Sequence, residues 1–344
     1  MKRKNYIAAF IIVFTVMLSS FGFYFWQILF SPNILVDQPD LQVVIPENSS
    51  FKDVQNLLFE QRIVNDMVSF SFLSKLKKYD ENIKPGVYEM QRNMTNLQAI
   101  NLLRSGAQIP IELTFTNVRK LEELPEKISI FMAFDSTEFA NHLLDQNTPE
   151  MYGFRKETFL SMFIPNTYQV YWTDSPKRIL DRLKSAYDIF WDETRMQKAK
   201  AIGLSPEQVS TLASIVQAED TQLKEPERIA GVYLNRLKKG IPLQADPTVV
   251  YAIGDFGIRR VLTVHTQIDS PYNTYRNKGL PPGPINMPSI RAIDAVLNAE
   301  NHNYLYFCAK ADFSGYHAFA SSLSEHNKNA QAFQRALNAQ KIYK

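Results

Sequence analysis

Cysteine is almost absent from this chain: Cys308 is the only one in 344 residues. No intramolecular disulfide can form, and no zinc site built from several cysteines exists. The surrounding run "YLYFCAK" suits a small buried hydrophobe better than a catalytic pair with His302 or His317. The five histidines show no HExxH or other metal spacing, so neither a metal nor a cofactor is expected. An excess of one charge is missing too. Lys and Arg number 38 against 35 Asp and Glu, leaving +3, too little to propose nucleic acid as a partner. No solenoid-period repeat, low-complexity tract or Ser/His/Asp arrangement stands out, which leaves a protease poorly supported.

Another absence is local. After Lys2, Arg3 and Lys4 no charged side chain occurs until Asp37, and the run from Ile7 to Phe30 is apolar. That length crosses the roughly 30 Å hydrocarbon layer as a helix. The basic flank is expected to stay in the cytoplasm, with Tyr24 and Trp26 at the far interface. A cleaved signal peptide is the competing reading. Against it, the run exceeds a typical signal core, no small-x-small site follows, and aromatic residues stand where one would be. An uncleaved single-pass anchor is therefore expected, with everything after about Ser31 outside the cytoplasm.

The rest of the chain has the length for two folded units. Residues 1–6 read as a cytoplasmic N-terminus, 7–30 as the anchor and 31–40 as a linker. Residues 41–107 read as a small α+β module. In it "LQVVIPENSSFKDVQNLLFEQRIV" gives a strand, a turn and a helix with Val54, Leu57 and Leu58 inward. A helix follows around "MVSFSFLSKLKKY". Then come a turn at Pro85-Gly86, a short strand, Thr95 as N-cap and a helix ending at Gly106. From 108 to 344 a larger, mostly helical α+β region opens with the strand "IPIELTFTN". Within it "SPYNTYRNKGLPPGPINMPS" is stiffened by proline; composition leaves open whether it shapes a cleft or is a structural crossover.

One helix carries a candidate acid. Ser205, Pro206 and Gln208 form a capped start. Val209, Leu212 and Val216 then make an apolar stripe, and Glu219 falls on the same face while Asp220 is rotated about 100° away. A carboxylate on a buried stripe at a helix C-terminus is disfavoured as an anion by desolvation and by the helix dipole. Such a group stays protonated near neutrality and can donate a proton. The alternatives are an ion pair with Arg228 or Arg236, or a frayed, exposed helix end. The next helix, "ERIAGVYLNRLKKG", turns Ile229, Val232, Tyr233 and Leu237 inward and carries Asn235 and Arg236, which either bind a ligand or cap and pair. Asp246 before Pro247 reads as an N-cap. Gln244 has no such explanation.

"ASIVQAED", "IAGVYLNRLKKGIPLQADPTVVYAIG", "SPYNTYRNKGLPPGPINMPS" and "YLYFCAKADFSGYHAFA" occur in this order and spacing. Together they closely resemble the MltG (YceG-like) family of endolytic murein transglycosylases, over about residues 110 to 335. The resemblance implies a LysM-like fold for the small module, a YceG-like catalytic domain, and Glu219 as the catalytic acid. It implies glycan contacts at Gln244, Asp246, Thr248, Asn273, Thr274 and Tyr275, with Asn235 as a further substrate-binding candidate. Three departures stand out: Gln217 replaces the first Glu of the family's Glu-x-Glu pair, Asp220 replaces the Thr that follows, and Asn166 replaces an Asp after Pro165.

The implied activity is cleavage of the MurNAc-GlcNAc β-1,4 bond inside nascent peptidoglycan strands, leaving 1,6-anhydro-MurNAc ends and terminating elongation. Most glycosidases use two carboxylates. Muramic acid carries its own nucleophile, the C6 hydroxyl, so one Glu can serve as acid and then as base. The partners implied are glycan strands, the bacterial cytoplasmic membrane and a peptidoglycan synthase. Two rivals stand beside this reading: a non-catalytic, membrane-anchored peptidoglycan-binding scaffold, and a lysozyme-type hydrolase that uses water and needs a second carboxylate near Glu219.

Overall fold

In the computed structural model, residues 2–258 and 260–339 are described. Met1, residues 340–344 at the end of the 108–344 region, and the Lys2 and Arg3 side chains of the basic flank lie outside the described residues. Helix α1 (Lys2–Phe30) contains no proline and no acidic residue, and almost all of its side chains are exposed. Its segment Lys4–Phe30, 27 residues of mean hydropathy 2.1, is long and apolar enough to cross a membrane. A helix of this length and composition is compatible with a membrane anchor, and a signal sequence has the same character.

The chain divides into two compact units. The first comprises the described residues up to Leu113, with Phe131–Phe134 and Gln169–Asp174. Here β1 (Asp40–Ile45) pairs antiparallel with β2 (Gly86–Gln91), with Val43 opposite Tyr88. Alternation puts Val43 and Ile45 on one face, where they meet Val54, Leu58, Phe70, Leu73, Ile100 and Leu103. Those residues come from α2 (Phe51–Glu60), α3 (Met67–Leu76) and α4 (Asn96–Ser105). Thr95 caps α4 and Gly106 ends it in the left-handed region, as the sequence suggested; the structure adds capping boxes at Ser50/Asp53 and Thr95/Gln98.

The end of α1 belongs to this core. Ile28 is buried, and Asn96 Nδ2 donates to the Ile28 carbonyl at 3.1 Å. Beyond it Ile34 and Val36 are buried, in the segment expected to be a linker, and Ile34 bridges to Val64. Asn33 ties the joint together. Its Nδ2 donates to Asn96 Oδ1 and the Asp66 carbonyl, and its Oδ1 accepts from the Asp66 N–H.

The second unit comprises Thr114–Ile130, Asp135–Tyr168 and the described residues from Ser175 onward. β3 (Ile111–Thr114) and β4 (Thr167–Val170) form a short two-stranded ribbon. The helices are α5 (Leu124–Ser129), α6 (Ser136–Leu143), α7 (Thr148–Met151), α8 (Pro176–Phe190), α9 (Glu193–Ile202), α10 (Pro206–Glu219), α11 (Pro226–Lys238), α12 (Asp246–Ile253), α13 (Ile290–Leu297) and α14 (Leu323–Ala339). An antiparallel hairpin, β5 (Tyr306–Ala309) with β6 (His317–Ala320), packs beside α14.

Helix α10 is the centre of this unit. Val209 through Val216 are all buried, and α9, α11, α12 and α13 pack around them. Each buried Val, Leu or Ile there contributes about 1.5–3 kcal/mol relative to exposure. Close approaches are made by glycine. A Cβ on Gly283 would sit 1.8 Å from the Glu157 carbonyl oxygen, and one on Gly231 of α11 2.5 Å from that of Glu300. Either substitution forces backbone to move. Cys308 lies in β5 opposite Ala318, and burial pushes its thiol up, away from the reactive thiolate.

The joint at Asn33 generates a prediction. Replacing Asn33 by Ala removes the acceptor of the Asp66 N–H, and amide exchange there should accelerate about 10- to 100-fold. Hydrogen exchange followed by mass spectrometry checks it, and an unchanged rate would show the network to be incidental.

Candidate active site

Glu219 is the last residue of α10. The start of the helix is as the sequence suggested: Ser205 caps it, Gln208 completes the capping box, and Pro206 fills the first turn. Its end differs in one respect. Helical spacing turns Asp220 away from the apolar face, yet Asp220 is buried, because the chain leaves the helix there with φ −117° and ψ 81°. The Asp220 carboxylate then accepts the Glu225 N–H at 2.8 Å and anchors the turn into α11.

Among the described residues, no ion pair reaches the carboxyl of Glu219. Arg228 engages Glu225 and Glu300. Arg236 donates to the carbonyls of Pro242 and Leu305 and to Gln244 Oε1. What reaches Glu219 is the buried hydroxyl of Tyr233, from α11, which donates to Oε1 at 2.8 Å. Burial raises the Glu219 pKa from 4.5 to about 7. The Tyr233 hydrogen bond works against that rise by favouring the anion, and the negative charge of Asp246 adds to it. Desolvation dominates. Burial, with the same Glu219 contact, holds the Tyr233 phenol well above its usual range, so it stays a donor.

Glu219 opens onto a cleft of about 790 Å³, lined also by Gln217, Asp246, Pro165, Val250, Tyr251, Phe256, Asn286 and Arg119. One wall is stitched directly to α10. Ser214 Oγ accepts the Ile285 N–H and its carbonyl accepts Asn286 Nδ2. Gln217 Oε1 accepts the Ser289 N–H, while its Nε2 donates to Asn286 Oδ1 and the Met287 carbonyl. An amide at 217 satisfies donors and acceptors at once. A carboxylate could only accept. The proline-rich segment is therefore both crossover and cleft wall.

Asp246 is not the N-cap expected of it. Ala245 holds that position and Asp246 is the first helical residue of α12. Its Oδ1 instead accepts the Tyr275 hydroxyl at 2.5 Å, and Asp246 lines the cleft. Gln244 is exposed, with a left-handed φ of 54°. The remaining expected residues spend their polar atoms on the protein. Thr248 Oγ1 donates to the Ala245 carbonyl, and Thr274 Oγ1 lies 2.8 Å from it and accepts the Ala245 N–H. Asn273 donates to the Thr266 and Ile268 carbonyls. Asn235 donates to those of His302 and Tyr304. Glu219, Asp246 and Tyr275 are thus brought together; Thr248, Asn273, Thr274 and Asn235 hold the loops around them. Sequence reasoning placed Tyr233 only on the inward stripe and missed its hydroxyl, since a buried Tyr needs a partner that spacing does not name.

The YceG-like family model matches residues 43–332. The chain belongs to the YceG-like family. An endolytic murein transglycosylase of Bacillus subtilis (strain 168) is 29% identical over 327 residues, covering 91% of this chain and 90% of that protein. One of Streptococcus pneumoniae (D39) is 26% identical, covering 94% of this chain but only 65% of its own length. The crystal structure of a YceG-like protein from Listeria monocytogenes superposes with a TM-score of 0.56 at 28% identity, covering 84% of this chain and 98% of that one. In this YceG-like chain the acid's neighbours are therefore a tyrosine and a second carboxylate, with an amide at 217.

The raised pKa is also a statement about stability. Folded Glu219 keeps its proton up to about pH 7, whereas the unfolded chain releases it near 4.5. The stability tied to this group is fully present below the lower value and is lost as pH rises through the upper, a span on the order of 3 kcal/mol. Glu219→Gln lacks that loss and keeps an acceptor for Tyr233. Its melting temperature should gain on the wild type between pH 4.5 and 7 and hold a constant lead above. A difference independent of pH would contradict the burial assigned to the carboxyl.

Proposed function

We propose that this protein is a peptidoglycan lytic transglycosylase in which Glu219 is the catalytic acid. The observation that carries the reading is a carboxyl whose pKa burial raises to about 7, held by Tyr233 and opening onto a cleft of about 790 Å³. The names of the Bacillus and Streptococcus relatives support the substrate class.

The bond cut is the β-1,4 linkage from MurNAc C1 to the O4 of GlcNAc. With Oε1 occupied by Tyr233, Oε2 carries the proton that passes to the leaving oxygen. The resulting carboxylate takes the proton of the MurNAc C6 hydroxyl as that oxygen closes on C1. No water is consumed, and the strand ends in 1,6-anhydro-MurNAc. Asp246, oriented by Tyr275, supplies negative charge to the positive centre at C1 without bonding to it. Gln244, Asp246 and Tyr275 contact the glycan, while Thr248, Asn273, Thr274 and Asn235 fix the walls. Helix α1 is an uncleaved anchor with its N-terminus in the cytoplasm, and the β-α-α-β order of the small unit supports a LysM-like module beside it. So tethered, the enzyme cuts nascent strands near a synthase and ends their elongation.

A second reading has an observation of its own: Asp246 lies in the same cleft and could serve a water-using hydrolase. Digestion of purified peptidoglycan by the full chain in detergent, read by mass spectrometry, separates them. Wild type should give anhydro ends, and Glu219→Gln should slow release by roughly 10²- to 10⁴-fold. Products one water heavier would establish the hydrolase. A folded, glycan-binding protein that releases nothing would establish the scaffold.

A further inference from the structure

Helix α3 is apolar on two faces. Phe70 and Leu73 are fully buried in the core of the first unit, while Val68, Phe72 and Leu76, spaced by four residues on the opposite side, are 74%, 50% and 59% exposed. A helix of ten residues that offers a second apolar stripe needs a second apolar medium. The stripe is continuous with the lateral surface of α1: Phe72 meets Phe25 edge to face, with ring centroids 6.5 Å apart.

Depth follows from arithmetic. The 27 residues from Lys4 to Phe30 span about 40 Å at 1.5 Å per residue. A hydrocarbon core is about 30 Å thick, so an upright helix leaves roughly 10 Å, or about seven residues, in the interfacial layer. With Lys4 at the opposite surface, Phe25 falls within that excess, together with Tyr24 and Trp26. Phe72, touching Phe25, is at the same level. Lys75 and Lys78 are exposed beside the stripe, placed to meet lipid phosphates while their stems lie along it. Because Asn96 bonds the Ile28 carbonyl and Ile28 is buried in the core, the first unit cannot swing away from the end of α1.

We propose that Val68, Phe72 and Leu76 are seated in the interfacial layer of the membrane that α1 crosses, so that the small unit rests on lipid. This rests on the reading of α1 as a membrane anchor. The stripe then has the function of fixing the height and tilt of the first unit above the bilayer.

The test uses the full chain with Cys308 replaced by Ala, reconstituted in vesicles of phosphatidylethanolamine and phosphatidylglycerol. Single nitroxides are attached through Val68→Cys, Phe72→Cys, Leu76→Cys, Val16→Cys in α1 and Glu47→Cys as the water reference, and collisions with oxygen and with a neutral nickel chelate are compared by power saturation. The oxygen-to-nickel ratio at 68, 72 and 76 should exceed that at 47 several-fold and lie below that at 16. Labels at 68, 72 and 76 that match position 47 while position 16 is in lipid would overturn the proposal and leave the anchor standing. Labels closed to both reagents would mean that protein covers the stripe, which also overturns it. A water-exposed position 16 would overturn the anchor and the proposal together.

Discussion

The desolvation of one carboxyl group is the constraint on which the larger unit depends. A carboxylate taken out of water without a cation is costly, and among the described residues no arginine is spent on it. Arg228 and Arg236, the two within reach in sequence, are committed to Glu225 and Glu300 and to backbone carbonyls. Neutrality is the remaining solution, and a carboxyl that keeps its proton up to about pH 7 has the property a general acid needs. The fold sustains this by burying α10 from Val209 to Val216 and stopping it at Glu219.

The walls of the cleft follow from the same helix. Ser214 and Gln217, on turns just before Glu219, hold the segment from Ile285 to Ser289, so the distance from acid to wall is set by consecutive turns of one rigid element. Tyr233 and Asp246 arrive from α11 and α12, both packed near α10 or its end. They push the acid's pKa in opposite directions. Tyr233 orients the group at some cost to its proton affinity, and the charge of Asp246 offsets that cost.

Local signals made much of this legible in the sequence. The capping box at Ser205 follows from local residue types, and the burial of Val209, Leu212 and Val216 from a 3.6-residue period; the structure has both, and it also buries every residue between Val209 and Val216. Spacing failed where the period stopped. Helical spacing turns Asp220 about 100° from the apolar face, but the helix ends one residue earlier and Asp220 is buried. Asp246 was assigned to a cap one position away from the real one, since Pro247 marks a helix start without fixing the residue that begins it. Hydrogen bonds between distant segments left no trace in sequence, among them Tyr233 to Glu219 and Tyr275 to Asp246. The same holds for Ile34 and Val36, whose burial depends on Val64 and on the end of α1, not on their neighbours.

The central claim is that the proton on Glu219 is the one used in catalysis, and a pH profile of kcat/KM for wild type beside Tyr233→Phe tests it most directly. The hydroxyl of Tyr233 favours the anion, so its loss raises the acid's pKa further above about 7. The alkaline limb of the profile should therefore fall near pH 7 in the wild type and move to higher pH in Tyr233→Phe, with kcat reduced. An alkaline limb that stays in place when Tyr233 is replaced, in a protein that remains folded, would contradict the account.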